Sequence, residues 1–202
     1  MGKHCALPGI RKQLDDAITY ESRKKAWVIA CAGLCGARKR NDEAEAQYFL
    51  AQKDILKNRF VSAIEHLDKA IALNPADGAA FNDRALCMVE LGIIDEALVF
   101  FDRGIAVEPD YATIYHNKGW LLNNIGRFRE SVDCFKKALA LEPDRAVTYD
   151  SLADSLYNLG DLSAALAAYR RVLSLLKPGQ CRSIRKLIRE RIVALEKTTA
   201  HH

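Results

Sequence analysis

Apolar residues recur at helical spacing through most of the chain, and they predict pairs of helices joined by short turns. The pattern is clearest in residues 112–145, where two apolar-periodic segments are separated by Gly126 and closed by a proline. Nearly the same 34-residue pattern comes twice before this stretch and once after it, with closing prolines at Pro75, Pro109, Pro143 and, one residue late, Pro178. A fixed period of this length is the signature of an all-helical repeat architecture.

Each period alternates small and large side chains at defined places. A small residue in the first helix lets two helices approach closely, and an aromatic residue in the second helix fills the gap to the next helical pair. A glycine or asparagine follows the first helix, because these residues accept the left-handed conformation at little cost. In chain order the small residues are Ala51, Ala85, Gly119 and Ala153, the aromatic residues Phe101, Phe135 and Tyr169, and the turn residues Asn58, Gly92, Gly126 and Gly160.

Residues 44–179 resemble the tetratricopeptide repeat (TPR) family. In the central repeat the places of the family signature hold Tyr115, Lys118-Gly119, Leu122, Ser131, Phe135 and Pro143. The resemblance implies an all-α protein, a right-handed α-solenoid of four TPR helix-turn-helix repeats with an N-terminal helical extension and a C-terminal capping helix. The expected divisions are a basic N-terminal extension at 1–43, repeats at 44–77, 78–111, 112–145 and 146–179, a capping helix at 180–197 and a tail at 198–202.

Charge is unevenly distributed along the 202 residues. The formal net charge is +4, but residues 1–43 and 178–202 each carry +4, so the repeats between them carry −4. No apolar run approaches the ~18 residues that a membrane-spanning helix requires. Six scattered cysteines form no disulfide framework. The reducing cytoplasm is therefore the expected location.

Residues 1–43 do not fit the repeat, and three interpretations compete. Ten mostly apolar residues lie between two basic clusters, and Ile10, Leu14 and Ile18 recur at helical spacing before them. The segment is first interpreted as a helix that covers the apolar face of the first repeat. Alternatively it mediates self-association or an interfacial membrane contact through Trp27. Processing at Cys31 is disfavoured, because the preceding apolar stretch is too short for a signal core.

Beyond Pro178 the segment 180–197 has an apolar stripe and a basic side. This amphipathic pattern predicts a capping helix packed on the fourth repeat. The alternative is a basic patch for nucleic acid or anionic lipid. The stripe comprises Ile184, Leu187, Ile188, Ile192 and Leu195, and the basic side comprises Arg182, Arg185, Lys186 and Arg189.

The sequence contains no motif for catalysis or phosphate binding of the P-loop, dinucleotide, zinc-protease or nucleophile-elbow type. Cys31 and Cys35 are the only closely spaced cysteines, without a second pair at zinc-finger spacing. Cys87 and Cys134 lie in predicted helices and are expected to be small core residues. The sequence therefore predicts a non-catalytic protein with no cofactor and no metal site.

The resemblance also implies a concave groove lined by the first helices. Since the stripe of Tyr115, Gly119 and Leu122 is expected to be buried, the stripe one residue on should face into the groove. Its Asn and Asp side chains suit the amides of an extended peptide, and Trp120 offers a rigid anchor. The predicted peptide-binding groove comprises Tyr48, Gln52, Asn82, Asp83, Leu86, His116, Asn117, Trp120, Asn123, Asn124, Asp150, Asp154 and Tyr157.

The leading functional hypothesis is an adaptor or chaperone-like scaffold that binds a segment of another protein in this groove. Trp120 has an alternative role in the core, packed between adjacent first helices. The alternative function is a membrane-associated assembly factor that acts through residues 1–43, the segment that could also form a homo-oligomer. Nucleic-acid binding through the basic ends ranks third.

One known use of the family is disfavoured by residue type. The clamp for the C-terminal carboxylate of heat-shock proteins needs a Lys and an Asn, then an Asn, then a Lys and an Arg on three successive first helices. Those places hold either Tyr48, Gln52, Asp83, Thr113 and Asn117, or Asn82, Leu86, Asn117, Val147 and Ser151. Without cations a carboxylate would be buried unpaired, so no binding of such a tail is expected.

Overall fold

The computed structural model describes residues 8–18, 22–176 and 182–199. These residues form eleven helices and no strand. The chain divides into two compact units, Met1–Glu108 and Pro109–His202.

The first unit contains six helices, of which α3 with α4 and α5 with α6 form tightly packed hairpins. Turns of a few residues join the consecutive helices from α2 to α6, so these neighbours along the chain pack antiparallel. The helices are α1 Pro8–Asp16, α2 Arg23–Lys39, α3 Glu43–Ile55, α4 Phe60–Leu73, α5 Gly78–Glu90 and α6 Ile94–Val107.

The second unit continues the same design with two hairpins, α7 with α8 and α9 with α10, followed by one further helix packed on α10. Its helices are α7 Ala112–Asn124, α8 Phe128–Leu141, α9 Ala146–Asn158, α10 Leu162–Leu175 and α11 Arg182–Thr199. The expected fold class, all-α with helix-turn-helix hairpins and helical segments at both ends, is confirmed for the described residues.

The turns within hairpins have the expected backbone. Gly92, Gly126 and Gly160 have φ of 76°, 80° and 82°, and Asn58 takes the same conformation with φ of 57°. After α7 the amide of Gly126 donates to the carbonyl of Asn123 at 3.1 Å, which satisfies a carbonyl at the helix end. The prediction that asparagine replaces glycine in the first of these turns is confirmed.

The closing prolines also act as expected. Helices α4, α6 and α8 end two residues before Pro75, Pro109 and Pro143, because the residue before a proline is pushed out of helical geometry. Pro178 lies outside the described residues.

Small residues face large ones inside each hairpin. A Cβ atom on Gly119 would lie 2.9 Å from the ring of Phe135, so only glycine fits there without a shift of the ring. Ala85 and Ala153 are fully buried, as are Phe101 and Phe135. Phe135 also belongs to the buried cluster of the next hairpin, with Leu152 and Ala153, as expected of a ring that fills the gap to the next pair.

Helices α1 and α2 form a further helical pair ahead of α3. Leu14 of α1 and Ala30 of α2 are fully buried in the same cluster as Phe49 of α3. Side chains that join neighbouring first helices elsewhere are 31 or 32 residues apart, as in Gln52 with Asp83. Arg11 of α1 binds Glu45 of α3 across 34 residues, so α1 takes the position of a first helix.

The turn between α2 and α3 repeats the geometry of the turns within hairpins. Asn41 has φ of 53°, and its amide donates to the carbonyl of Arg38 at 3.1 Å. Gly33 lies against the ring of Phe49, where a Cβ atom would come within 2.4 Å. This packing is what we expect if a helix within residues 1–43 covers the apolar face of the first repeat.

Helix α11 packs on α10 through one face only. Ile188, Ile192 and Leu195 are buried in the cluster that holds Tyr169 and Val172. Ile184 and Leu187, which the sequence pattern placed in the same stripe, are 45% and 48% exposed. The stripe predicted for this helix was therefore too wide, because the face that meets α10 is narrower than the apolar side of the helix.

Candidate protein-binding surface

Three predicted groove residues of the first unit lie inside it rather than on its surface. Tyr48, Gln52 and Asn82 are 3%, 3% and 2% exposed. All three hydrogen-bond to the carboxylate of Asp83, with Asn82 Nδ2 donating to Oδ1 at 2.9 Å. Adjacent first helices pack side by side along this stripe, so these polar groups satisfy one another in the contact between α3 and α5.

The Asp83 carboxyl is the centre of that network. Burial raises its pKa to about 6, against the hydrogen bonds from Tyr48, Asn82 and Gln52 and the nearby charge of Arg11, all of which lower it. Leu86, one turn further along α5, is half-buried. The first unit therefore offers little of the predicted groove as free polar surface.

His116 of the second unit is also buried, with 8% of its surface exposed. Its Nδ1 shares a hydrogen bond of 3.1 Å with the hydroxyl of Thr148, and its ring lies 5.6 Å from that of Phe135. Burial lowers the pKa of His116 to about 4, with a further contribution from the charge of Arg145. A neutral histidine in this place joins α7 to α9 and does not present a charge to a ligand.

The remaining predicted residues of the second unit form an accessible surface on α7 and α9. Trp120 is 40% exposed and Tyr157 is 55% exposed. Asn124 is exposed, and the other members are half-buried. We call this the α7–α9 surface and define it by Asn117, Trp120, Asn123, Asn124, Asp150, Asp154 and Tyr157.

Two carboxylates of the α7–α9 surface share one cation from α11. Arg191 Nη1 lies 3.2 Å from Asp150 and 3.0 Å from Asp154. The hydroxyl of Tyr169 on α10 donates a hydrogen bond to Asp154. Burial raises the pKa of Asp150, as does the neighbouring Asp154, whereas Arg191 lowers it. The three charges sum to −1, so this part of the surface favours a cationic group.

A cavity of about 410 Å³ opens beside these charges. Its lining includes Asn123, Asp154 and Tyr157 from the predicted groove. The Oδ1 atom of Asn123 accepts a hydrogen bond of 2.8 Å from Ser155, which fixes the amide at the rim. Sequence reasoning missed the other lining residues, which are Asn158, Tyr169, Arg191, Ala194 and Leu195.

Apart from Asn158 of α9, the missed residues belong to helices that the sequence assigned to packing. Arg191 lies on α11 and Tyr169 was identified only as a core aromatic residue. The signal that could have found Arg191 is the pair Asp150 and Asp154, one helical turn apart on α9, because two like charges at this spacing repel each other and favour a nearby cation.

The basic side of α11 is also partly used within the unit. Arg185 Nη1 donates to the carbonyls of Leu173 and Leu176 at 3.3 and 2.6 Å, and so caps the C-terminal end of α10. Among the described residues no three His, Cys, Asp or Glu side chains are grouped to hold a metal ion. None of the helices in the described ranges is long and apolar enough to span a membrane.

Comparison with known proteins identifies the repeats. Three sequence models of the tetratricopeptide repeat match residues 54–118, 112–145 and 145–177. The chain belongs to the tetratricopeptide repeat family. TPR repeats form non-catalytic scaffolds for protein interactions, and this chain is built on such a scaffold. The comparison with curated proteins found no significant match.

Solved TPR structures share the fold at low sequence identity. TTC0263, a thermophilic TPR protein of Thermus thermophilus, is 20% identical with a TM-score of 0.72, over 94% of this chain and all of its own. MamA is 16% identical with a TM-score of 0.60, over 84% of this chain and 91% of its own. The first TPR of Spaghetti (RPAP3), bound to the HSP90 peptide SRMEEVD, is 18% identical with a TM-score of 0.55, over 61% and 94%.

Proposed function

We propose that this TPR protein is an adaptor or chaperone-like scaffold that holds a segment of another protein on the α7–α9 surface. The observation that carries the proposal is the pairing of two exposed aromatic side chains, Trp120 and Tyr157, with a cavity whose rim is polar. Large aromatic residues that stay exposed in a folded unit are typical anchors of protein interfaces.

The polar groups of this surface suit the backbone of a bound segment. The amides of Asn117 and Asn124 can both donate and accept hydrogen bonds, as an extended peptide requires. Trp120 and Asp154 hold the same place in successive first helices, 34 residues apart. An aromatic face and a carboxylate in neighbouring places would together accommodate one side chain of the ligand.

The charge of the site indicates which side chain that is. Asp150 and Asp154 outnumber Arg191, and both are more than a third exposed. A lysine or arginine of the partner would be attracted to the carboxylates and to the ring of Tyr157. We infer that the bound segment carries at least one basic residue.

The test is capture of partners from native lysate with the intact chain and with Trp120→Ala plus Tyr157→Ala. Removing two anchors is expected to reduce capture by at least about 30-fold, since the loss of even one interface hot spot costs roughly 2 kcal/mol. The matched control is Leu141→Ala, because Leu141 is also 40% exposed but lies at the end of α8. Asn82 is not a suitable target, because it is buried and its loss would disturb the fold.

Equal capture by the double variant and the wild-type protein would refute the proposal, provided circular dichroism shows unchanged helical content. Binding of synthetic peptides then tests the charge inference. Peptides with a central arginine should bind more tightly than peptides in which glutamate replaces it.

A further inference from the structure

The outer edge of α2 carries a concentration of positive charge. The helix contains five basic residues and no acidic residue. Lys24, Arg38 and Lys39 are exposed on it, and Lys53 and Lys57 of the neighbouring α3 and its following turn lie alongside. We call these five cations the α2 basic edge.

The cations of this edge differ from other cations of the first unit. Arg11 binds Glu45 and Asp77, and Arg84 binds Asp68. Within the described part of the chain, no carboxylate forms an ion pair with any member of the α2 basic edge. Five cations without an ion-pair partner repel one another, so a polyanion placed here would be bound favourably.

Apolar side chains lie among these cations. Val28 is 61% exposed, and Cys35 is exposed about two turns further along the same side of α2. A shallow cavity of about 370 Å³ runs between Cys31, Cys35 and Lys53. The opposite side of α2 is anchored by Ala26, Ala30 and Ala37, which are all fully buried. The helix that carries the edge is therefore firmly packed on the unit.

The surroundings of Trp27 indicate which of two kinds of polyanion, nucleic acid or anionic lipid, fits this edge. The ammonium groups of Lys53 and Lys57 lie 5.1 and 4.5 Å from the centre of its ring. Because the lysines cover the ring, it is poorly placed to stack on a nucleic-acid base. An indole beside lysines and an exposed valine is instead the composition of a surface that lies at the boundary of headgroups and acyl chains.

We propose that the α2 basic edge docks the protein peripherally on a bilayer that contains anionic lipids. The phosphate and carboxylate groups of the lipids supply the missing counter-charges. Val28 reaches the headgroup boundary, the partly buried Trp27 lies next to it under its two lysines, and the rest of the protein stays in water. This inference is independent of the α7–α9 surface, which lies in the other unit.

The first test is co-sedimentation with vesicles of phosphatidylcholine and phosphatidylserine in a roughly 7:3 ratio, at low and at high salt. The full chain should bind these vesicles at low salt, bind pure phosphatidylcholine at least about tenfold less, and dissociate as salt rises. Lys39→Glu with Lys57→Glu should reduce binding at least about tenfold, because both side chains are exposed members of the edge. The matched control, Lys136→Glu with Lys137→Glu on α8, makes the same change in net charge on exposed residues elsewhere.

A second readout locates the contact. Trp27 and Trp120 are the two tryptophans of the chain, so Trp120→Phe leaves Trp27 as a single fluorescent reporter. Its emission should shift to the blue with the anionic vesicles and stay unchanged with neutral ones. The proposal is overturned by absence of binding at low salt, by equal loss of binding in the α8 control, or by an unchanged Trp27 emission. Retention of polyuridylate through Lys39 and Lys57 without vesicle binding would assign the edge to nucleic acid instead.

Discussion

At the scale of single residues, polar side chains in the first helices have two distinct roles. Some fill the contacts between neighbouring helices, as the hydroxyl of Ser155 on α9 does through a hydrogen bond of 2.8 Å with Ser131 of α8 in a fully buried place. Others, such as Asn124, remain on the surface. Periodicity alone cannot tell the two kinds apart. Which side chain is buried depends on how far the next helix extends over it.

His116 gives this burial a measurable consequence. Its pKa is about 4 in the folded protein because of burial and about 6.5 when unfolded. Between these values the unfolded chain binds a proton that the folded chain does not, so stability falls as the pH is lowered from about 6.5 to about 4. The expected contribution is roughly 3 kcal/mol over that range. His116→Gln should flatten this part of the dependence of the unfolding free energy on pH, measured by urea denaturation.

Asp83 provides the control for this prediction, because its contribution to stability depends on pH in the opposite direction. The pKa of Asp83 is raised to about 6 by burial, so its contribution is fully present below about 3.8 and is lost as the pH rises through 6. In the wild-type protein this contribution partly offsets the loss of stability at acid pH that His116 causes. Asp83→Asn removes the offset, so its stability should fall more steeply with decreasing pH than that of the wild type, whereas that of His116→Gln should fall less steeply. The same slope in wild type and His116→Gln would show that His116 is protonated in the folded state.

At the scale of helices, the sequence predicts the regular hairpins well and the first pair poorly. Glycines, asparagine and prolines mark the turns because they act through local backbone geometry. Helices α1 and α2 have only Asn41 as such a marker, at the turn after α2, and Gly33 has no visible partner until Phe49 is placed against it. A signal is nevertheless present, since the buried Ala30, Leu34 and Ala37 precede Ala63, Leu67 and Ala70 by 33 residues each. The spacing of these buried residues therefore matches the repeat in α2, although the other residues of the repeat signature are absent there.

The attachment of α1 can be tested at Arg11. Its guanidinium binds Glu45 and Asp77, whose side chains are only 5% and 9% exposed, and it lies 3.8 Å from the ring centre of Tyr48. Arg11→Ala leaves two buried carboxylates without their cation, so we expect a loss of roughly 3 kcal/mol. Urea denaturation measures the loss, and limited proteolysis should then cut first near α1.

A double-mutant cycle separates charge from packing at this position. In a background of Glu45→Gln and Asp77→Asn, Arg11→Ala should cost much less, because no buried charge is left uncompensated. An equal cost in both backgrounds would show that Arg11 acts through its contact with Tyr48 alone.

At the scale of the whole molecule, the two basic ends of the sequence differ in how far their cations are paired within the protein. The cations of α11 are partly used inside the second unit, where Arg185 caps α10 and Arg191 balances two aspartates. Those of the α2 basic edge have no such partners among the described residues. The two ends therefore have the same net charge but differ in how many of their cations remain without a partner on the described surface. Charge counted along the sequence shows how much is present, but only packing shows how much remains for a partner.

The chain should also differ from relatives that bind acidic tails. The peptide SRMEEVD is bound by the first TPR of RPAP3, and its carboxylates need cations. At the clamp positions this chain has Asn117 as its only match and no lysine or arginine. Calorimetry should therefore show no binding of SRMEEVD, with a Kd weaker than about 1 mM. Val147→Lys with Ser151→Arg places two cations on α9, and it should raise the affinity at low salt. Micromolar binding by the unaltered chain would show that cations outside the clamp positions can hold the tail.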